Sequence, residues 1–267
     1  MEMNRLVSIA ILALALLGRL DAQTSTHQRI GVEKTYAHEL EGLCAWTAQR
    51  TSETELSGSL SADLGYSFRQ TLDLRVSVPL LFSVIEETGV FRYGLGDTVV
   101  SSGYLVRGAD WTTRYEVGVG LPSGQASKYA IRNGELATGA GTFNLFASTS
   151  LSLLRDPAVL SLDLSAGTAL PEATATGSRW RSGNLQCALS LQEALNENVS
   201  WSVAFVPALA FPEWHNGTWT SRAPEWKAGL AFQLVWVSGP YTLRNGSRLD
   251  DGGGLMLTGA GGGTVRW

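Results

Sequence analysis

Three histidines, two cysteines and a modest set of carboxylates and guanidiniums are the material this chain offers for chemistry. His215 stands beside Glu213 and near Thr218 and Ser221. From these an external serine hydrolase or acyltransferase would draw a hydroxyl nucleophile, an imidazole base and an orienting acid. Such a triad works only when rigid elements hold all three groups, and these four fall in a stretch rich in Pro, Trp and Gly. His27 and His38 lie far upstream in aperiodic sequence. No spacing of His and Cys suits a structural metal. The glycine runs Gly252–Gly254 and Gly261–Gly263 precede neither a helical pattern nor a lysine, so they are not a nucleotide cradle. No catalytic residue, cofactor or metal is expected.

The charges that do stand in a pattern point elsewhere. Asp73 and Arg75 alternate with Leu72, Leu74 and Val76, and Arg114 and Glu116 with Thr113, Tyr115 and Val117. Asp163 and Lys227 occupy the same kind of position in later segments, as do Asp63, Asn144, Gln186 and Gln233. Successive strand side chains point to opposite faces, so each segment is oily on one face and polar on the other. If the sheet closes with its oily face outward, Asp73, Arg75, Arg114, Glu116, Asp163 and Lys227 face a lumen. Carboxylates and guanidiniums opposed across it would set a transverse field and a constriction that selects small solutes. Alternatively they pair and fill the interior for stability.

The elements that must position these side chains are strands. Candidates run over 43–50, 56–68, 72–84, 97–107, 111–121, 139–153, 158–169, 183–193, 199–209 and 224–236, with a short segment at 240–245 and a closing one at 255–267. The count is about twelve, an even number as in bacterial single-chain barrels. Tight connections at 70–71, 108–110, 154–157, 194–198 and 237–239 alternate with long ones at 85–96, 122–138, 170–182, 210–223 and 246–254. Short connections thus gather at one end of the sheet and long ones at the other, as in barrels with short periplasmic turns and longer external loops. Tyr66, Tyr104, Trp111, Trp201, Trp236 and Trp267 fall on the oily face near the short-turn end, and Phe82, Phe211 and Trp226 near the long-loop end. Amphipathic rings at two levels are the expected interfacial girdles. The fold class is therefore all-β: a transmembrane, up-and-down antiparallel β-barrel.

Composition agrees. Only 16% of residues are charged, 30 are glycine, and the net charge of −4 gives nucleic acid no footing. Residues 1–22 carry a basic start at Arg5, an apolar core from Leu6 to Leu17 and a small-residue end, the layout of a secretory signal peptide. Residues 23–42 read as a periplasmic lead-in and 43–267 as the barrel. Outer-membrane lipid and the barrel assembly machinery are the expected partners, the latter through a strand with Trp267 at its end. Cys44 and Cys187 fall far apart around the sheet and are expected to remain thiols.

Between about Leu60 and Pro171 four marks stand in order: Val78-Pro79 late in a strand, Gly94-Leu95-Gly96-Asp97 entering the next, Leu121-Pro122-Ser123-Gly124 at a strand end, and Gly139-Ala140-Gly141 after the following loop. In these the chain resembles the outer-membrane transporter-like barrels of the MetA-pathway of phenol degradation family. The lysine-tyrosine pair common in that family after the second mark is replaced here by Ser102-Gly103-Tyr104. The resemblance implies passive passage of small solutes, hydrophobic or aromatic ones among them, across an outer membrane. The alternative is a structural or surface-interaction barrel working through external loops, above all the one carrying Trp214 and Trp219.

Overall fold

The computed structural model describes residues 38–50, 55–69, 71–124, 139, 141–174, 177–180, 183–215, 218–219, 223–250 and 254–266. The strands are β1 (His38–Arg50), β2 (Glu55–Phe68), β3 (Leu72–Ile85), β4 (Val90–Leu95), β5 (Thr98–Arg107) and β6 (Trp111–Leu121). After a long loop come β7 (Asn144–Arg155), β8 (Ala158–Ala169), β9 (Glu172–Thr174), β10 (Gly177–Trp180) and β11 (Asn184–Ala194). The chain continues through β12 (Val199–Phe205), β13 (Ala208–Ala210), β14 (Trp214–His215) and β15 (Thr218–Trp219). It finishes with β16 (Glu225–Lys227), β17 (Gly229–Ser238), β18 (Tyr241–Asp250) and β19 (Leu255–Arg266).

Fifteen of these segments form one antiparallel sheet, and three consecutive pairs (β4 with β5, β12 with β13, β16 with β17) are single staves, so the wall has twelve. Each stave pairs with its chain neighbours, and β19 returns to pair with β1 from Glu39↔Arg266 to Gln49↔Met256. Among the described residues the sheet is therefore a closed meander whose only one-sided segments are β4, which pairs with β3, and β16, which pairs with β13. Closure satisfies the backbone groups that an open sheet would leave bare in lipid.

The breaks within staves have local causes. Pro207 has no N–H to give the ladder, yet the pairing Ser190↔Ala204 resumes in step at Gln186↔Ala208. At Gly96–Asp97 one extra residue is inserted: Ser77 pairs with Val99 and Leu80 with Leu95. That is a β-bulge, and it exchanges the inward and outward positions of β4 relative to β5.

Outward positions carry the apolar residues. Leu72, Leu74, Val76, Tyr104, Tyr115, Val117, Leu160, Leu162 and Leu230 are all exposed, whereas the buried polar residues Asp73, Ser101, Arg114, Ser150 and Arg244 face inward. This inverts the arrangement of a two-layer sandwich, whose apolar residues would be enclosed. Tight turns at 108–110, 156–157, 195–198 and 239–240 and the short connection from Phe68 to Leu72 all lie at one end. In one of them the Asn196 side-chain oxygen accepts from the N–H groups of Asn198 and Val199, both at 2.9 Å, a local closure that Asn supplies readily.

Several elements differ from the sequence reading. β1 begins at His38, so residues 38–42 belong to the wall; Glu39 and Glu41 alternate with Leu40, but two periods were too few to read. The stretch 85–96 is not a long loop: β3 and β4 extend and close a tight turn at 86–89. The short segment 240–245 is a full strand reaching Asp250, because polar Asn245 and Ser247 at outward positions mask its alternation. Long connections at the second end number three, at 122–143, 170–183 and 211–224; the connections after β1, β3 and β18 there are short. Two of the long ones rise into a separate sheet of order β15-β14-β10-β9. It is tied to the rim by Trp180, whose Nε1 donates to the Ala169 carbonyl at 2.8 Å.

Candidate functional site

The inner wall is the candidate site, and its register decides which charges meet. One row of paired residues runs from Glu39 through Ser67, Asp73, Gly103, Glu116, Ser148, Ser165, Gln186 and Ala208 to Lys227. It starts at the short-turn end and finishes near the long loops, the climb that tilted strands impose on a closed barrel. Asp73 and Lys227 therefore share a row but sit at opposite ends of the lumen.

At the short-turn end the wall carries a charge cluster. Arg114 Nη2 donates to Asp73 Oδ2 at 2.6 Å and to Glu116 Oε2 at 3.2 Å. Arg75 Nε donates to the same Asp73 oxygen at 3.3 Å, and its Nη2 reaches Glu41 Oε2 at 3.5 Å. Arg266 Nε donates to Glu39 Oε2 at 2.7 Å. Buried Arg244 lies within electrostatic reach of Glu41 and Arg75. The Asp73 and Arg114 side chains are each only 9% exposed, so desolvation makes their pairing obligatory. One glycine makes room for the central pair. Gly103 stands between Asp73 and Glu116 in the row, and a Cβ on it would lie 2.6 Å from Asp73 Oδ1 and 2.8 Å from Arg114 Nη2. Gly65 lies between Glu41 and Arg75 in register, but a Cβ there would approach no closer than 3.6 Å to Arg75 Cγ, an ordinary contact.

Four of the six expected lumen residues, Asp73, Arg75, Arg114 and Glu116, thus form one network, but as neighbours along one wall and not as opposed groups across the lumen. The reason is spacing: adjacent staves are about 4.8 Å apart, well within the reach of an arginine. Asp163 faces inward, separated from Arg114 by Ser150 in a common row, and makes no ion pair among the described residues. Lys227 is at the far rim beside Glu225, at 3.5 Å. Glu39, Glu41, Arg244 and Arg266 are cluster members that the sequence reading did not select. Their strands lie at the two ends of the chain, and only closure of β19 on β1 brings them together.

Tyr66, Tyr104, Trp111, Trp201 and Trp236 all occupy outward positions near the short turns, and Tyr115 and Tyr241 join them. The Tyr66 hydroxyl is 2.7 Å from His38 Nδ1. Trp201 stacks on Phe232, centroids 6.5 Å apart. Trp267 lies outside the described residues. Of the hydrolase-like set, His215 and Thr218 are register partners in the β14–β15 hairpin, and Ser221 lies outside the described residues. No group of three or more His, Cys, Asp or Glu among the described residues has the placement to hold a metal ion.

The four marks of the family resemblance converge in space. Gly96 N–H donates to the Pro79 carbonyl at 2.7 Å, and Gly124 N–H donates to Asp97 Oδ1 at 3.0 Å. The Ser123 hydroxyl accepts from Thr98 N–H at 2.7 Å and donates to the Gly96 carbonyl at 3.1 Å. A Cβ on Gly139 would lie 2.6 Å from Asp97 Oδ1. These residues build a knot at the bulge where the loop after β6 departs, so their spacing serves architecture.

Among solved structures the chain is similar to the COG4313 outer membrane channel from Pseudomonas putida F1, with TM-score 0.68 at 10% identity over 92% of this chain and 100% of that one. It is also similar to the NanC porin, with TM-score 0.53 at 9% identity over 85% and 99% of the two chains. Its fold is that of bacterial outer-membrane channels and porins. No family model matches the sequence, and no curated protein matches it significantly.

Proposed function

We propose that this barrel sits in a bacterial outer membrane and lets small solutes pass by diffusion, with no covalent step. The observation that carries this reading is the closed twelve-stave wall, apolar without and polar within. Such a wall matches lipid outside and water inside. Asp73, Arg75, Arg114, Glu116 and Asp163 shape selectivity along the wall, and Lys227 does so at the rim. Tyr66, Tyr104, Trp111, Trp201, Trp236 and Trp267 hold the barrel at the headgroup level. Export by a signal peptide over residues 1–22 and insertion by the barrel assembly machinery complete the reading. Membership of the phenol-degradation transporter-like family rests on the four converging marks alone.

Purified full-length protein reconstituted in planar bilayers and in liposomes tests it. Conductance or solute-driven swelling is expected; a silent bilayer together with osmotically tight liposomes would remove the pore reading.

One observation favours a second reading, a barrel that works through its external surface. Two loops build the sheet of β9, β10, β14 and β15, with Trp180, Trp214 and Trp219 in register across three of its strands. Deleting residues 213–220 would abolish binding to partners under this reading and leave permeability unchanged.

A further inference from the structure

The lumen wall is two-faced. From β18 through the β19–β1 seam to β6, inward positions alternate arginine with carboxylate: Arg244, Glu41, Arg75, Asp73, Arg114 and Glu116 form its densest part. From β7 to β17 the inward positions are mainly serine, alanine, glutamine and asparagine. Asp163 is the one charge on the described wall there apart from Glu225 and Lys227 at the rim. Ser148, Ser161, Ser165, Ser190 and Ser202 are partly accessible on this side, with Gln186 between them and the rim.

Resting on the pore reading, we infer that the serine side is the solute track, and that it carries uncharged, hydroxyl-bearing solutes of the polyol and small-saccharide class in preference to ions. Seven charges on the opposite side, Glu39, Glu41, Asp73, Arg75, Arg114, Glu116 and Arg266, are engaged with one another at 2.6–3.5 Å, so an entering ion has to compete with a partner already in place at each of them. The serine side offers an ion hydroxyl dipoles in place of its hydration shell, an unfavourable exchange. A polyol loses little, because each of its hydroxyls trades a water for a serine hydroxyl that both donates and accepts. The single carboxylate of Asp163 gives the track a slight preference for cations over anions. The apolar groups on this side, Phe146, the paired Leu154 and Val159, and Val235 and Val237, are separated along the track by Ser148, Ser150 and Ser152 on one stave and Gln233 on another, so an aromatic or hydrophobic solute finds no continuous apolar path.

The test uses full-length protein in liposomes and planar bilayers, with folding of each variant checked by heat-modifiable electrophoretic migration. Swelling in erythritol or ribitol is expected, with weak KCl current and a reversal potential near zero under a salt gradient. Asp163→Asn should abolish the residual cation preference. The pair Ser148→Ala and Ser165→Ala should slow polyol entry about fivefold, the equivalent of one net hydrogen bond, and leave KCl current unchanged. Strongly ion-selective current without polyol entry would overturn the inference and spare the pore. So would polyol entry indifferent to the serine variants, or faster entry of phenol than of ribitol. Absence of both current and swelling would overturn the pore reading itself and take this inference with it.

Discussion

Asp73 and Arg114 meet over Gly103, the residue of β5 that separates their strands, at 2.6 Å and with almost no exposure. A side chain at position 103 would occupy the space in which the pair forms. Gly103→Ala is therefore expected to destabilise the barrel by about 1–3 kcal/mol through overpacking. Arg114→Met, which leaves Asp73 and Glu116 without their shared cation, should cost about 3–5 kcal/mol. Urea titration of the protein folded in lipid vesicles measures both. Equal stability of Arg114→Met and the parent would show that the pair is not desolvated.

Arg50 and Glu86 make the contrasting pair. Their 2.7 Å contact joins the last residue of β1 to the 86–89 turn at the long-loop end, with side chains 58% and 50% exposed. Solvent screens it, so Arg50→Ala should change stability by no more than about 1 kcal/mol in the same titration.

Val117 and Leu162 face outward at mid-strand, 61% and 38% exposed. Lysine at either position should cost about 2–4 kcal/mol in a bilayer, the penalty for a charge facing lipid. If Val117→Lys folded into vesicles as readily as the parent, that face would not be lipid-exposed.

Asp97 anchors the knot at the bulge through the Gly124 N–H. Asp97→Ala should cost about 1.5–3 kcal/mol, the worth of a hydrogen bond to a charged group. Asp97→Asn keeps an acceptor and should recover part of that loss. Protease nicking between residues 122 and 143 gives a second readout, expected to rise in the alanine variant first.

Cys44 and Cys187 are free thiols on β1 and β11, outward on separate parts of the wall. Denatured protein should titrate two thiols and migrate identically with and without reductant.

Much of this architecture was legible in the sequence because a strand's period of two is local. The alternation over Leu72–Val84 and Trp111–Leu121 needed no knowledge of neighbours to assign Asp73 and Arg114 to one face and Leu74 and Val117 to the other. Where the local signal weakens, the reading stopped short. β18 carries Asn245 and Ser247 on its outward side, and β4 follows a bulge that reverses its parity, so neither shows the alternation cleanly.

The chain by itself determined the fold class and which face of most strands meets lipid, since both follow from hydrophobic periodicity. Only the tertiary structure decided which charges share a network. The pairing of β19 with β1 unites Glu39 with Arg266, and strand tilt carries Lys227 away from Asp73 along their common row. Closure and tilt are properties of the whole sheet, and no single segment contains them.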